Sequence, residues 1–181
     1  DDYVDRFQRD VFEITTEEFE RNTNYFGYPI SPNGGIVIGY HLLGGMCGAT
    51  PDGRKFGDPF ADAVVSPQAG MDKNGPTAVL KSVSKVDHTK MGRTLLNQKF
   101  TVAVLSGTGE KKFIDYIRTW GDLGIFHVQF NTIGREMLLD AQRNPENYQD
   151  LIIRVAGFSA YFTRLSKEVQ DGIIERVEQA L

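Results

Sequence analysis

Gly157 lies in an apolar, strand-like run, RVAGFSAYF (residues 154–162). A radical on a peptide Cα is most stable when it is planar and conjugated with the donating amide nitrogen and the withdrawing carbonyl, and glycine has no Cβ to crowd that plane. Phe158, Tyr161 and Phe162 follow it, and a tight apolar loop of this kind would shield a radical from water and oxygen. The alternative is a bulge or a close backbone approach, the usual reason for glycine within a strand. The residues alone leave both interpretations open.

The histidines and the single cysteine offer weaker chemistry. His41, His88 and His127 are scattered and lack the spacing of a metal site. Cys47, in GGMCGAT, has no neighbouring base, so a catalytic Cys–His pair has little support. GTGEKK at 107–112 lacks the Lys-Ser/Thr pair of a phosphate-binding loop. We therefore expect neither a bound cofactor nor a metal.

The overall charge limits the classes of partner. The chain of 181 residues has a formal net charge of −4, which argues against a nucleic-acid surface. It has no basic run suited to an anionic membrane and no apolar stretch long enough to cross one. A single cysteine excludes an internal disulfide and fits a reducing compartment. We expect a cytoplasmic protein.

Helical and strand-like patterns alternate and predict an α/β fold. The predicted helices lie at 2–13, 16–24, 110–122, 134–143 and 167–180. The predicted strands lie at 36–43, 77–83, 94–105 and 125–131. Between them, residues 44–76 contain seven glycines and four prolines and are predicted to form a long ordered loop.

The first residues carry an apolar face that requires a partner. Val4, Phe7 and Val11 recur at helical spacing among charged residues. We therefore expect a piece of a longer chain, or a subunit that docks on another. Residues 1–30 are predicted to be a helical segment of the preceding region, and 31–181 the functional domain.

The C-terminal stretch RVAGFSAYFTRLSKEVQDGIIERV closely resembles the signature of glycyl radical enzymes. In that signature an Arg-Val-Ala/Ser-Gly-Tyr/Phe loop precedes a short helix that carries a glutamine. Residues 48–88, 94–100 and 127–157 are similar to further stretches of the same family, in order and at similar spacing. The resemblance covers most of the chain after residue 30.

The resemblance implies that Gly157 is the radical site, on a buried loop within a ten-stranded α/β barrel. It implies that a separate S-adenosylmethionine activase with an iron–sulfur cluster removes one hydrogen from this glycine, so the chain itself holds no metal. The radical then passes to a cysteine, and the resulting thiyl radical attacks the substrate. No residue here corresponds to that cysteine, and Cys47 lies in the wrong place. The family's substrate-contacting residues near that cysteine are absent as well.

Two hypotheses follow from the resemblance. In the first, the chain is the radical-bearing segment (radical loop 154–162, terminal helix 167–180) of an anaerobic lyase. Its partners are then the activase, the cysteine-bearing remainder and a small organic substrate, and we expect an oligomer. In the second, it is a non-catalytic repair subunit for a cleaved enzyme. Ala156 and the FSAYF run are more similar to the dehydratase, decarboxylase and fumarate-adding branch than to pyruvate formate-lyase. The substrate stays open.

Four polar residues are expected to anchor these loops. Arg54 follows a Pro-Asp-Gly turn and is placed to pin the long loop by charge-assisted hydrogen bonds. Gln129 and Asn131 lie on a strand predicted to be buried, where amides need partners. Arg154, three residues before the glycine, is expected to anchor the radical loop.

Overall fold

The computed structural model describes residues 1–33, 39–176 and 178–180. Within these residues the chain forms six α-helices and five strands. The helices are α1 (Asp2–Glu20), α2 (Gly39–Met46), α3 (Pro76–Val83), α4 (Thr108–Asp122), α5 (Arg135–Arg143) and α6 (Lys167–Glu175). The strands are β1 (Leu96–Phe100), β2 (Val128–Asn131), β3 (Ile152–Arg154), β4 (Ser159–Tyr161) and β5 (Glu178–Gln179). No helix of this part of the chain is long and apolar enough to cross a membrane.

Three of the strands form a parallel sheet, in the order β2-β1-β5. Leu96 pairs with Val128 in register, so Asn97 lies beside Gln129 on the same face. β3 and β4 form a separate antiparallel hairpin, in which Arg154 pairs with Ser159. Parallel strands joined through helices confirm the α/β class. The ten-stranded barrel stays a prediction.

The buried apolar side chains of the described residues form two large clusters and a small one of Ala63, Leu95 and Ala156. The sheet core comprises Val65, Val79, Leu80, Val83, Leu96, Phe100, Val104, Tyr116, Ile125 and Val128. The hairpin core comprises Leu138, Ala141, Ile153, Val155, Phe162, Val169, Ile173 and Ile174. The hairpin therefore packs on α5 and α6, while β1 and β2 pack on α3 and α4.

The first helix is continuous, so the prediction of two helices at 2–13 and 16–24 was wrong. The hydroxyls of Thr15 and Thr16 bond to the carbonyls one turn earlier, at 2.7 and 2.9 Å, and the helix passes through them. Asp5 accepts a 2.6 Å bond from the Ser82 hydroxyl and so ties α1 to α3. The opposite face of α1 leaves Val4, Phe7 and Val11 exposed. The division of the chain near residue 30 stays a prediction.

Two predicted strands are helices where the structure describes them. Residues 39–43 of the predicted strand 36–43 belong to α2, and residues 34–38 lie outside the described residues. The predicted strand 77–83 is α3, which begins with Pro76 in its first turn. Proline presets the helical φ and has no N–H to satisfy at that position. Short apolar runs fit a buried helix and a strand equally well, which explains both errors.

The predicted strand 94–105 and terminal helix 167–180 are also shorter than expected. β1 ends at Phe100 and a short 3₁₀ turn follows, while α6 ends at Glu175. The chain then extends, and β5 pairs with β1. The buried Lys99 ammonium lies 3.1 Å from the Glu178 carboxylate, which also accepts the Arg135 N–H at 2.6 Å. These contacts favour a strand where the helical pattern would have continued.

The long loop predicted at 44–76 spans residues 47–75, because residues 44–46 belong to α2 and Pro76 begins α3. Arg54 is 4% exposed and donates hydrogen bonds to the loop's own carbonyls and to that of Gly44. Gly44, on α2, lies against the backbone of Asp58 and Pro59 and leaves no room for a Cβ. This close approach fixes one end of the loop on α2.

Candidate functional site

Gly157 lies in the turn of the β3–β4 hairpin, between Arg154 and Ser159. Its φ is +78°, in the left-handed region that glycine enters without strain. The Val155 N–H donates to the Phe158 carbonyl at 3.0 Å and closes the four-residue turn 155–158. The reversal of the chain at this turn is therefore a local structural reason for a glycine at position 157.

The residues before the glycine fix the turn on the body of the protein. Val155 is fully buried in the hairpin core, and Ala156 packs with Ala63 and Leu95. Gly157 itself is exposed, and a Cβ built on it would meet nothing within 4 Å beyond its chain neighbours. The glycine is thus held at the tip of a firmly packed turn.

The expected burial of Gly157 is not found in this chain, and two of the three aromatic residues expected to shield it, Tyr161 and Phe162, do not contact it. Phe162 is buried within the hairpin core, and Tyr161 is 37% exposed. Neither comes within 4 Å of the position that a Cβ on Gly157 would occupy. Successive side chains of a strand point to opposite faces. Closeness in sequence to Gly157 therefore did not place these aromatic rings against it. The aromatic residues stabilise the hairpin instead.

Both polar groups of Gly157 bond to side chains. The Gly157 N–H donates to Gln129 Oε1 at 2.8 Å, and its carbonyl accepts from Arg154 Nη2 at 3.2 Å. Arg154 Nε donates to the same Gln129 oxygen at 2.6 Å. Gln129, Arg154 and Gly157 therefore form a closed ring of hydrogen bonds, which we call the glycine cradle. The predicted anchoring role of Arg154 is confirmed.

A chain of amides fixes the orientation of Gln129. Its Nε2 donates to Asn97 Oδ1 at 2.9 Å, across the β1–β2 register. Asn97 Nδ2 in turn points to the Asp62 carbonyl at 3.4 Å. Because both amide nitrogens have acceptors, the Gln129 oxygen is the atom left to face Gly157. Gln129 is 6% exposed, so these bonds form away from bulk water.

The backbone that leads into the turn is held by two more donors. Asn131 Nδ2 donates to the Arg154 carbonyl at 2.7 Å, which gives this buried-strand amide the partner it was expected to need. Arg176 Nη2 donates to the Val155 carbonyl at 2.8 Å. The Arg176 guanidinium is itself paired with Asp62, at 2.6 Å. The turn is therefore bonded to β2 and to the segment that follows α6.

Two arginine charges act on His127, next to the strand that carries Gln129. Burial lowers the pKa of His127, which precedes β2, and the charges of Arg154 and Arg93 lower it further. His127 is accordingly neutral at pH 7. Arg154 remains the cation in contact with the glycine carbonyl.

The other chemical candidates lie outside the cradle. Cys47 is half-buried at the start of the long loop, where its carbonyl accepts from Arg54 at 3.3 Å. His88 is buried between the Thr94 hydroxyl and the Val83 carbonyl. Within residues 1–33, 39–176 and 178–180, no three His, Cys, Asp or Glu side chains are grouped to hold a metal ion.

Sequence reasoning missed Asn97, Asp62 and Arg176. These residues reach the turn only through the pairing of β1 with β2 and the return of the chain after α6. The amide of Asn97 within the predicted strand 94–105 was an available signal, since an amide that becomes buried requires a partner. Its partner was not readable from local spacing.

Comparison with known proteins identifies the family of this chain. The family described as glycine radical matches residues 61–163. Indoleacetate decarboxylase from Tractidigestivibacter scatoligenes is 40% identical over 98% of this chain and 20% of that protein. Trans-4-hydroxy-L-proline dehydratase from Clostridioides difficile is 39% identical over 99% of this chain and 23% of that protein. The chain thus spans about a quarter or less of the length of the relatives it matches.

The solved structures place the same fold in the same class of enzyme. B12-independent glycerol dehydratase from Clostridium butyricum superposes with a TM-score of 0.92 at 44% identity. That match covers all of this chain and 23% of the dehydratase. The family match extends over more than half of the chain and includes Gln129, Arg154 and Gly157. This chain belongs to the glycine radical family, among relatives that are dehydratases and decarboxylases.

Proposed function

We propose that Gly157 stores the radical of an anaerobic lyase. The observation that carries this proposal is the glycine cradle, which holds the N–H and the carbonyl of one exposed glycine within the family-matched region. Cα of Gly157 gives up one hydrogen atom to a carbon-centred radical supplied by a separate activating enzyme that uses S-adenosylmethionine and an iron–sulfur cluster. The Cα–H bond breaks homolytically, so one electron stays on Cα and no net charge moves.

The stored radical then passes to a thiol. The Gly157 Cα radical takes a hydrogen atom from a cysteine in the remainder of the enzyme, which restores glycine and leaves a thiyl radical. The thiyl radical abstracts a hydrogen atom from a small organic substrate, and C–C, C–O, C–N or C–S chemistry follows. The exposure of Gly157 in this chain fits a turn that the remainder of the enzyme covers. That remainder would supply the dry environment that a radical needs.

The branch and the setting are part of the same proposal. Relatives named as a decarboxylase, a dehydratase and a sulfite-lyase support a lyase outside the pyruvate formate-lyase group. Each contains the matched region within a longer polypeptide, which favours the lyase over the repair subunit. An oligomeric, cytoplasmic enzyme with residues 31–181 as its radical domain remains our expectation.

The test is the loss of a radical on substitution of one glycine. The natural protein that contains this chain is incubated without oxygen with its activating enzyme and examined by electron paramagnetic resonance. We expect a glycyl signal in the wild type and none in Gly157→Ala. We also expect cleavage at Gly157 on exposure to air, measured by intact mass.

Gly124→Ala is the matched control. Gly124 has a φ of +68° and open space around the position of a Cβ, as Gly157 does. Both substitutions should cost about 1–2 kcal/mol in backbone strain, but Gly124→Ala should keep the radical. A signal that survives in Gly157→Ala, or a wild type that stays silent beside a competent activating enzyme, contradicts the proposal.

A further inference from the structure

The glycine cradle places a hydrogen-bond acceptor on one substituent of the reacting carbon and a cation on the other. Gln129 Oε1 accepts from the Gly157 N–H at 2.8 Å, and the Arg154 guanidinium donates to the Gly157 carbonyl at 3.2 Å. Both contacts come from side chains, and both are joined through the 2.6 Å bond between Arg154 and Gln129. We propose that Gln129 and Arg154 set the stability of the Gly157 radical by polarising these two groups. This inference rests on the proposed function.

The electronic argument follows from what stabilises a Cα radical. The unpaired electron is shared with a nitrogen that donates electron density and a carbonyl that withdraws it. An acceptor on the N–H makes the nitrogen a better donor. A cation on the carbonyl oxygen makes that group a better acceptor. Each contact therefore lowers the spin density on Cα and weakens the Cα–H bond that has to break.

The two contacts differ in their exposure to water. Gln129 is 6% exposed and its bond to the Gly157 N–H is partly buried, whereas the bond from the half-buried Arg154 to the Gly157 carbonyl is exposed. The positive charge strengthens the Arg154 contact, and a lower local dielectric strengthens the Gln129 contact. Asn97 holds the Gln129 amide in the orientation that presents its oxygen, so the acceptor is fixed before the radical forms. The cradle is preorganised for the radical state.

The consequence is a shift in the equilibrium between the glycine radical and the thiyl radical. Stronger delocalisation favours storage on Gly157, and weaker delocalisation favours the cysteine. Removal of the Gln129 acceptor should lower the occupancy of the glycyl radical about tenfold, the size of change that a lost hydrogen bond of this strength produces in an equilibrium constant. Gln129 and Arg154 are positioning residues in this scheme, since they act through the glycine.

The experiment reads the spin distribution in the natural protein after anaerobic activation. Gln129→Met removes the acceptor with little change in side-chain length, and Gln129→Glu replaces it with a stronger one that also pairs with Arg154. We expect a larger α-proton hyperfine splitting in Gln129→Met than in the wild type, and a splitting in Gln129→Glu that is equal or smaller. With ¹⁵N-labelled glycine, the nitrogen coupling should decrease in Gln129→Met.

Gln98→Met is the matched control, because Gln98 is a buried glutamine on the adjacent strand, 4% exposed, whose side-chain amide donates to the Asn97 carbonyl at 3.2 Å. Its hyperfine splitting should equal that of the wild type, since a purely structural change would not move this quantity. Equal splittings in all variants overturn the inference, as does failure of both Gln129 variants to form a radical while Gln98→Met succeeds. A silent wild type counts against the proposed function instead.

Discussion

Two loops of this molecule are each organised by an arginine, and the two arginines bond to different kinds of partner. Arg54, in the long loop, is almost fully buried and donates to five backbone carbonyls. These carbonyls belong to Gly44, Cys47, Gly48, Lys55 and Asp58. Arg154, at the glycine turn, is half-buried and donates to an amide oxygen, a hydroxyl and a single carbonyl.

The difference separates a structural arginine from one that acts on a reacting residue. The bonds of Arg54 satisfy acceptors that a loop without regular structure would otherwise leave unpaired, and its guanidinium also stacks over Phe60 at 4.4 Å. The backbone around Arg154 is held independently by Asn131 and Arg176. Loss of Arg54 should therefore disturb conformation, and loss of Arg154 should chiefly disturb electrostatics.

Arg54→Met gives the largest expected effect on stability. The substitution leaves several carbonyls around a buried site without the donor that Arg54 supplied. Each unsatisfied acceptor lowers the free energy of unfolding by about 1–3 kcal/mol. We expect a total loss of at least about 3 kcal/mol and faster amide hydrogen exchange over residues 44–60. Arg118→Met is the control, because the Arg118 side chain is 74% exposed and its pair with Asp115 is long, at 3.5 Å. Unchanged amide hydrogen exchange in Arg54→Met would mean that Arg54 does not hold its loop, and the two arginines would then not differ in this way.

The sequence predicted the residues of this comparison better than it predicted their surroundings. Arg54 and Arg154 were identified as anchors because each follows or precedes a turn signal within a few residues. The turn at Gly157 was likewise readable from a glycine in a strand-like run. Local chemistry of this kind depends on neighbours in the chain. The sequence left a tight loop and a bulge open for Gly157, and the structure has a hairpin turn there.

Features that depend on distant pairing were not readable. Asn97 meets Gln129 only because β1 and β2 pair in that register. α6 stops at Glu175 because the next residues find a place beside β1, although their helical spacing continues. The exposure of Gly157 is likewise set by which segments surround the hairpin. Tertiary contacts decided each of these outcomes against the local pattern.

Gln170→Leu is expected to loosen the base of the hairpin while leaving the turn intact. The buried Gln170 amide donates to the carbonyls of Phe162 and Leu165 at 3.0 and 3.1 Å. Leucine would leave the Leu165 carbonyl without this donor, while the Phe162 carbonyl would keep only the Leu165 N–H at 3.2 Å. We expect a loss of about 1–3 kcal/mol and faster exchange over residues 159–166. Gln149→Leu, at an exposed position, is the control. The glycyl hyperfine splitting should not change in Gln170→Leu, and a change there would mean that hairpin packing sets the radical's electronic state.

The smallest expected effect is an electrostatic one at His127. Burial lowers the pKa of this imidazole, and the nearby Arg154 and Arg93 add to that lowering. Arg154→Met removes one cation, so the pKa of His127 should rise while burial still keeps it below about 6.5. Because the unfolded imidazole binds its proton more readily, stability falls as the pH drops from about 6.5 through the folded pKa. Arg154→Met should narrow the pH range over which the protonation of His127 lowers stability.

The measurement is an NMR titration of histidine carbon-bound protons in the natural protein, with Arg164→Met as the control. Arg164 lies just beyond the same hairpin, over the Tyr161 ring at 4.7 Å, and is not among the groups that shift His127. If the pKa of His127 rises in Arg154→Met and not in Arg164→Met, the charge of Arg154 acts electrostatically at the glycine turn. An unchanged pKa in both variants would mean that the Arg154 charge is screened at the turn, and its contact with the Gly157 carbonyl would then serve only to hold the backbone.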